Sequence, residues 1–354
     1  MGKGTDNLYH MIEEGDKGVE KFNTGLEKLQ MFTDPVRKGV MTVIGASPGA
    51  GKTTLVLFNY VYKPILNCIE LGKKNLKIII FCLELKKEDV LAKILSMIMY
   101  DKFGIEIGYR EMLSFSGPLA RDIFEKLNIC REILAKIESF IIFVEGKLTA
   151  STFSDFMIKY YMRRGIFTDE GNNAYQPNDE SLITLAVIDH IGETAVEPRE
   201  TEKQAQDNLA EELKKYRNIC GLSSIVVQQI NRGASSVDRR TKFPGLELND
   251  LKGTGNAAEK ADNVIGLYYP FREKLSKWGP YDVLRMKQVL RGIQVLKNRY
   301  GTADVNIGLA FYGHPSVMKE LPYGDNAMLD YPVYDTASYY KDFAGDKFKD
   351  IDNI

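Results

Sequence analysis

The chain has 354 residues, 44% of them hydrophobic and 27% charged, and its formal net charge is −1. That size allows a large buried core, and the near-neutral charge excludes nucleic-acid binding through a global positive field, leaving only local basic loops. The four cysteines (Cys68, Cys82, Cys130 and Cys220) have neither metal nor redox spacing, which indicates reduced thiols. The N-terminus is polar and every apolar run is shorter than the roughly 20 residues of a membrane span, which predicts a soluble cytoplasmic protein.

Short apolar runs rich in β-branched residues recur along the chain. They lie at 40–44, 77–84, 140–145, 185–189, 224–227, 263–269, 293–297 and 305–312. Runs without polar alternation are typical of strands buried on both faces of a sheet. With helical patterns between them, they predict an α/β fold, a mostly parallel sheet with helices on both faces. The last runs follow one another closely, which favours antiparallel strands at one edge.

Two amphipathic helices are predicted between these strands, over 151–164 and 201–218. Their apolar residues recur at helical spacing: Phe153, Phe156, Met157, Tyr160 and Tyr161 in the first helix, and Leu209, Leu213 and Tyr216 in the second. Polar composition predicts loops at 165–181 and 233–250, and no clear periodicity extends through the tail, 321–354.

The stretch 45–54, GASPGAGKTT, matches the phosphate-binding pattern G-x-x-x-x-G-K-[ST], except that Ala46 replaces the first glycine. Backbone N–H groups at a helix N-terminus bind phosphate, Lys52 adds a positive charge, and the Thr53 hydroxyl is a ligand for Mg²⁺. A glycine-rich turn with a surface lysine is the alternative. We predict a site for ATP and Mg²⁺. Its nucleotide-binding residues are Gly49, Ala50, Gly51, Lys52, Thr53 and Thr54.

Two carboxylates lie where predicted strands end. Asp189 follows four apolar residues and is predicted to join Thr53 in holding the metal, the alternative being an aspartate that caps a turn. Glu84 ends the run 77–84, where burying a carboxylate is costly unless it has a function. We therefore predict that Glu84 is the general base acting on the attacking water, with an N-cap or surface role as the alternative. His190 is predicted to be a packing or hydrogen-bonding residue.

Further motifs occur in a fixed order. They are FCLEL (81–85), LAVIDHIG (185–192), VVQQINRG (226–233), DLKGTGNAAEKADNVIGLYY (250–269) and LKNRYG (296–301). Together with the phosphate loop, they resemble the C-terminal, RecA-like motor domain of the DnaB replicative helicases. That family consists of ring-shaped homohexamers that move along single-stranded DNA with ATP. The resemblance implies an ATP-hydrolysing DNA helicase that acts in replication and moves 5′ to 3′.

The resemblance also assigns roles to single residues. It makes Glu84 the catalytic base, Asp189 the magnesium-shell aspartate and Gln229 the sensor of the γ-phosphate. It implies that Lys297 and Arg299 reach the ATP of a neighbouring subunit, and we expect both side chains on one face of a strand, where they alternate. A solvated strand end is the alternative for this pair. A residue that acts on a neighbour requires a head-to-tail assembly.

The DNA-binding residues follow from the same resemblance and from loop composition. Lys252 and Gly255 match the family segment that holds the DNA backbone, and Thr254 lies between them. Arg239 and Arg240 add positive charge to the preceding loop. In isolation all of these are ordinary loop residues, but glycine allows a close approach of backbone amides to a phosphate.

The predicted organisation is a linker or oligomerisation segment over 1–21, a motor domain over 22–320 and a tail over 321–354. The phosphate loop begins so early that we expect no N-terminal collar domain, as would suit a phage-type enzyme in the host cytoplasm. The expected partners are single-stranded DNA and further copies of the chain in a hexameric ring, with a primase or helicase loader beyond these. Two alternatives stay open: a RecA/RadA-type recombinase that forms filaments, and a non-enzymatic ATP switch.

Overall fold

Among the described residues, the strands assemble into one large sheet and three small ones. In this computed structural model the described residues are 19–113, 118–169, 171–230, 245–251 and 257–322, together with Thr5, Tyr9 and Ile12. The strands are β1 (Lys21–Phe22), β2 (Val36–Arg37), β3 (Met41–Ala46), β4 (Leu76–Cys82), β5 (Ile141–Glu145), β6 (Gly165–Phe167), β7 (Tyr175–Pro177), β8 (Ile183–Asp189), β9 (Ser223–Gln229), β10 (Asn263–Tyr268), β11 (Lys277–Trp278), β12 (Tyr281–Asp282), β13 (Leu290–Asn298), β14 (Val305–Tyr312) and β15 (Val317–Glu320).

The large sheet has nine strands in the order β15-β14-β13-β10-β3-β9-β8-β4-β5. The strands from β10 to β5 are parallel, and β13, β14 and β15 add antiparallel pairs at the other edge. The prediction of a mostly parallel sheet with an antiparallel edge is thus confirmed. Every residue of β3 and β10 is buried, because both faces of the sheet centre are covered.

The helices are α1 (Glu27–Gln30), α2 (Lys52–Leu55), α3 (Lys63–Glu70), α4 (Lys87–Phe103), α5 (Tyr109–Met112), α6 (Arg121–Glu138), α7 (Ala150–Met162), α8 (Glu202–Cys220), α9 (Ala257–Lys260) and α10 (Val283–Met286). A π-helical segment, Val56–Tyr62, joins α2 to α3 without a break in the helical run. Among the described residues, none of the helices combines the length and the apolar character that crossing a bilayer requires.

The two predicted amphipathic helices form as α7 and α8, and local capping sets where α8 begins and ends. The Thr201 hydroxyl accepts a hydrogen bond from the N–H of Gln204 at its start, and Gly221 ends it in the left-handed region at φ +67°. The apolar stripes pack against each other and the sheet: Phe153 of α7 contacts Phe81 of β4 and Tyr216 of α8. All four cysteines are free thiols, as predicted.

The prediction of a loop over 165–181 is wrong in part, because β6 and β7 pair there as an antiparallel hairpin. Within this polar segment, Tyr175 fixes the hairpin to α7. The Tyr175 hydroxyl donates to the carbonyl of Tyr161 in α7 at 3.1 Å, and its ring packs against those of Tyr161 and Phe167. Aromatic packing on α7 therefore orders a segment whose composition predicts a loop.

Candidate nucleotide-binding site

The phosphate loop joins the end of β3 to the start of α2, as predicted. Gly49 and Gly51 have φ values of +74° and +101°, in the left-handed region that favours glycine. The helical run begins at Lys52, so its first N–H groups lie at the loop. Among the predicted binding residues, Ala50 and Thr54 have buried side chains, so only their backbone is available to a ligand.

Gly45 does not belong to the phosphate cradle, although it precedes the loop in the sequence motif. It lies within β3, and a Cβ placed on it would come within 2.2 Å of Cδ2 of Leu251. The absent side chain makes room for a residue that directly precedes the predicted DNA-binding segment.

Thr53 and Asp189 meet beside the loop. The Thr53 hydroxyl donates to Oδ2 of Asp189 at 2.7 Å. The other carboxylate oxygen, Oδ1, is buried and has no hydrogen-bond partner in the described part of the chain. An unsatisfied carboxylate oxygen beside a hydroxyl is an arrangement that suits a hard cation or its water shell.

The protein environment of Asp189 disfavours its charged form. Burial raises the pKa of its carboxyl above the ordinary value, and the nearby Glu84 carboxylate acts in the same direction. The hydrogen bond from Thr53 and the positive charges of Lys52 and His190 lower that pKa in part. A bound cation would relieve this repulsion and favour the ionised carboxylate.

Glu84 lies beyond its predicted position. β4 ends at Cys82, and the chain then turns, so Glu84 is exposed rather than buried at a strand end. The prediction that Glu84 is a buried carboxylate at a strand end is therefore wrong. Its position beside the site follows instead from register, because Cys82 of β4 pairs with Asp189 of β8. His190 is a hydrogen-bonding residue, as predicted: its Nδ1 accepts from the N–H of Gly192 at 3.0 Å.

Gln229 ends β9, directly beside β3 and in register with Ala46, the last residue before the loop. This position at the carboxyl edge agrees with the expectation that the strand is adjacent to the phosphate-loop strand. The preceding Gln228 is fully buried, and its amide donates to the carbonyl of Leu251 at 2.8 Å.

Lys297 and Arg299 lie where the parallel strands β3 and β10 begin, whereas the phosphate loop lies where β3 ends. Asn298 pairs with Asn263, which pairs with Thr42 near the start of β3, whereas the phosphate loop follows the end of β3. At about 3.3 Å per residue, the two ends of β3 are roughly 16 Å apart. The residues therefore do not join the phosphate site of their own chain.

Lys297 lies on β13, but the strand ends at Asn298, so Arg299 lies one residue beyond the strand on which it was expected. Lys297 donates to the carbonyl of Glu259 at 2.7 Å. The Arg299 guanidinium, 42% exposed, pairs with the buried Asp262 carboxylate at 2.9 Å. Asp262 also accepts from Arg217 at 2.8 Å.

Two arginines that no sequence motif singles out contact the phosphate loop. Arg291, on β13, donates from Nε to the carbonyl of Ala50 at 2.7 Å. Arg272, in the turn after β10, donates to the carbonyl of Pro48. The one sequence signal for Arg291 is a charged residue at the second position of a strand whose first half is otherwise apolar.

The predicted DNA-binding residues lie outside the described residues: Arg239, Arg240, Lys252, Thr254 and Gly255. Their assignment therefore stays a prediction. Within the described ranges, no cluster of three His, Cys, Asp or Glu side chains could hold a metal by itself. A cation at Thr53 and Asp189 would thus need further ligands from nucleotide and water.

The family model for the DnaB-like helicase C terminal domain matches residues 21–319. The replicative DNA helicase DnaB of Buchnera aphidicola subsp. Baizongia pistaciae (strain Bp) is 25% identical over 263 residues, 74% of this chain and 49% of the relative. That of Helicobacter pylori (strain ATCC 700392 / 26695) is 25% identical over 258 residues, 72% of this chain and 45% of the relative. The chain spans about half the length of these relatives.

Two solved structures share the fold. A DnaB-like replicative helicase, described with its interactions with primase, has a TM-score of 0.68 at 15% identity, and the match covers 90% of this chain and 68% of that one. A second solved structure, an ATPase domain, has a TM-score of 0.67 at 17% identity, and the match covers 90% of this chain and 98% of that domain. At these identities the likeness establishes a common architecture.

Proposed function

The chain belongs to the family of DnaB-like helicase C-terminal domains, and from that premise we propose that it is an ATP-driven DNA helicase. It would assemble as a ring of six copies, move 5′ to 3′ along single-stranded DNA and unwind duplex DNA in replication. The observation that carries the proposal is the contact of Thr53 with Asp189 beside the phosphate loop. A hydroxyl of the phosphate loop and a carboxylate are the pair that holds Mg²⁺ in ATPases with this loop.

The residues present fit Mg²⁺. The Thr53 hydroxyl and the unpartnered Oδ1 of Asp189 supply hard oxygen atoms, and the phosphates of ATP would supply others. When bound there, the cation neutralises the charge of the β- and γ-phosphates. Lys52 begins the helical run and would add a positive charge to the same phosphates.

The proposed hydrolytic residues surround this point. Glu84 is exposed, so its carboxylate is accessible to an attacking water, and we assign it the role of general base. It lies near enough to Asp189 to influence the charge of that group. Gln229 ends the strand beside β3, from which its amide would respond to the γ-phosphate.

The placement of Lys297 and Arg299 supports an assembly with ATP at subunit interfaces. Both lie at the edge of the sheet away from their own phosphate loop, so any action on ATP requires a second copy. In such an assembly, the surface that carries Lys297 and Arg299 in one copy contacts the phosphate-loop surface of the next copy. This contact is head-to-tail, and it closes into a ring or continues as a filament. Arg299 would exchange its partner Asp262 for a phosphate.

A route from nucleotide to DNA runs through Leu251. This buried residue packs against Gly45, just before the phosphate loop, and accepts a hydrogen bond from Gln228 in β9. The predicted DNA-binding residues Lys252, Thr254 and Gly255 follow it directly. A shift of the loop on hydrolysis would therefore reach the segment proposed to grip the DNA backbone.

The test is electron microscopy of the full chain with single-stranded DNA and a non-hydrolysable ATP analogue, with Lys52→Ala as the control that should not assemble. Closed six-membered rings around DNA, followed by unwinding of a 5′-tailed fork, are the expected result. Helical filaments with strand exchange would instead identify a recombinase. Assembly without DNA-stimulated hydrolysis would point to an ATP switch.

A further inference from the structure

Arg291 is buried beneath the phosphate loop. It is 2% exposed and is the largest of the fully buried side chains in the described part of the chain. Besides the 2.7 Å bond from Nε to the Ala50 carbonyl, Nη1 donates to the carbonyls of Gln288 and Leu290 at 2.7 and 2.9 Å. The guanidinium thus ties the loop to the turn that opens β13.

The guanidinium of Arg291 makes cation–π contacts with two aromatic rings. Its guanidinium carbon lies 3.4 Å from the ring centroid of Tyr269 and 4.5 Å from that of Phe311. It forms no ion pair with any of the described carboxylates. Burial lowers the pKa of Arg291 to about 10, so the group stays charged at neutral pH. A buried cation without an anionic partner is costly, and an anion above the loop would offset that cost.

The peptide between Ala50 and Gly51 explains what the contact does. The carbonyl and the following N–H of a trans peptide point in opposite directions. Because Arg291 binds the Ala50 carbonyl, the N–H of Gly51 points away from Arg291. That N–H donates to no group in the described part of the chain. A Cβ on Gly51 would come within 3.0 Å of the Phe311 ring, so the same wall supports the loop from below.

We propose that Arg291 is a positioning residue for nucleotide binding: it holds the Ala50 carbonyl so that the Gly51 N–H faces a phosphate, and it places a fixed positive charge beneath that phosphate. The inference rests on the proposed binding of ATP at this loop. Pure packing is the competing explanation, and it predicts changes in stability without changes in nucleotide affinity.

The first test is Arg291→Lys, which keeps a positive charge but loses the planar fork that serves Ala50 and Gln288 together. Its affinity for a fluorescent ATP analogue should fall about tenfold, as expected for the loss of a charge-assisted hydrogen bond. The KM for ATP should rise while kcat at saturation stays near wild type. The matched control is Arg164→Lys, because Arg164 also stacks on a ring, Tyr160 at 3.8 Å, and donates to its carbonyl at 3.0 Å.

The second test uses the wild-type protein and does not depend on a variant that folds. The Gly51 N–H should exchange its hydrogen rapidly without nucleotide and become protected by the ATP analogue. Unchanged exchange, or an affinity of folded Arg291→Lys within about twofold of wild type, would overturn the inference. Lys52→Ala distinguishes failure of the proposed ATP binding from failure of the proposed role of Arg291. If Lys52→Ala weakens nucleotide binding and Arg291→Lys does not, only the role of Arg291 is ruled out. If the wild type binds no analogue, the proposed function itself fails.

Discussion

The Thr53 hydroxyl donates a 2.7 Å hydrogen bond to Asp189, a residue 136 positions away in the chain. Thr53 lies in α2, the helix that follows β3 and the phosphate loop, and Asp189 ends β8. In the sheet, β9 lies between β3 and β8. The bond satisfies one carboxylate oxygen and leaves the other buried without a partner among the described residues. The buried, unsatisfied oxygen has a cost in folding free energy, and that cost is measurable.

Asp189→Asn should make the nucleotide-free protein at least as stable as wild type at neutral pH, while abolishing Mg²⁺-dependent ATP hydrolysis. Burial raises the pKa of Asp189 in the folded state, so ionisation costs folding free energy as the pH rises through that raised value. Asparagine has no charge to desolvate. Thermal unfolding from about pH 4 to about pH 8 is the measurement. The advantage of the variant should be largest at neutral pH and shrink as the pH falls, because Asp189 becomes protonated in the folded protein.

The matched control is Asp122→Asn, whose side chain is 69% exposed on α6 and which should change neither stability nor hydrolysis. If Asp189→Asn is less stable than wild type at neutral pH, the carboxylate contributes more through its bond to Thr53 than it loses by burial.

Glu84→Gln should retain ATP binding and lose hydrolysis by about 10²- to 10⁴-fold, the usual contribution of a general base. Because Glu84 is exposed, the free energy of unfolding of the variant should differ from that of wild type by less than about 0.5 kcal/mol. Steady-state hydrolysis with DNA and equilibrium nucleotide titration are measured together. Glu88→Gln, an exposed carboxylate in the first turn of α4, is the control. Hydrolysis that survives in Glu84→Gln would move the base elsewhere.

Arg299→Ala should bind ATP yet fail to hydrolyse it, and it should fold, because Asp262 keeps its bond to Arg217 at 2.8 Å. The lost charge would belong to the neighbour's site. Mixing Arg299→Ala with Glu84→Gln should therefore restore part of the activity, since some interfaces then contain both intact residues. Hydrolysis is measured across mixing ratios, with each variant alone as the control. If no ratio recovers activity, a role for Arg299 in trans loses its support.

Gly45→Ala should destabilise the protein by about 1–3 kcal/mol through overpacking, because its Cβ would meet Leu251 at 2.2 Å. Leu251→Ala alone should cost about 2–5 kcal/mol. The double variant should lose less than the sum, since the smaller residue at 251 accepts the new methyl group. Urea unfolding of all four proteins gives the coupling free energy. Strictly additive losses would mean that the two positions do not contact each other.

Much of the sheet could be predicted because its strands are short buried runs, and burial on both faces leaves a local mark in the sequence. The residues of β3 and β8 are predicted as strands for this reason, and the phosphate loop is recognisable from local spacing of glycine, lysine and threonine. Helices α7 and α8 are recognisable from apolar residues at Phe153, Met157, Leu209 and Leu213, all buried. Such signals need no knowledge of what lies across the molecule.

The phosphate loop, the strands and the family resemblance follow from the amino-acid sequence alone, since each depends on residues close together in the chain or on motif order. The three-dimensional fold was needed to establish that Glu84 is exposed, that the hairpin at 165–177 is anchored by Tyr175, and that Arg291 lies under Ala50. Those facts depend on strand order and on contacts between distant positions. No local pattern encodes them, because the free energy of such a contact exists only once the rest of the sheet has brought the two residues together.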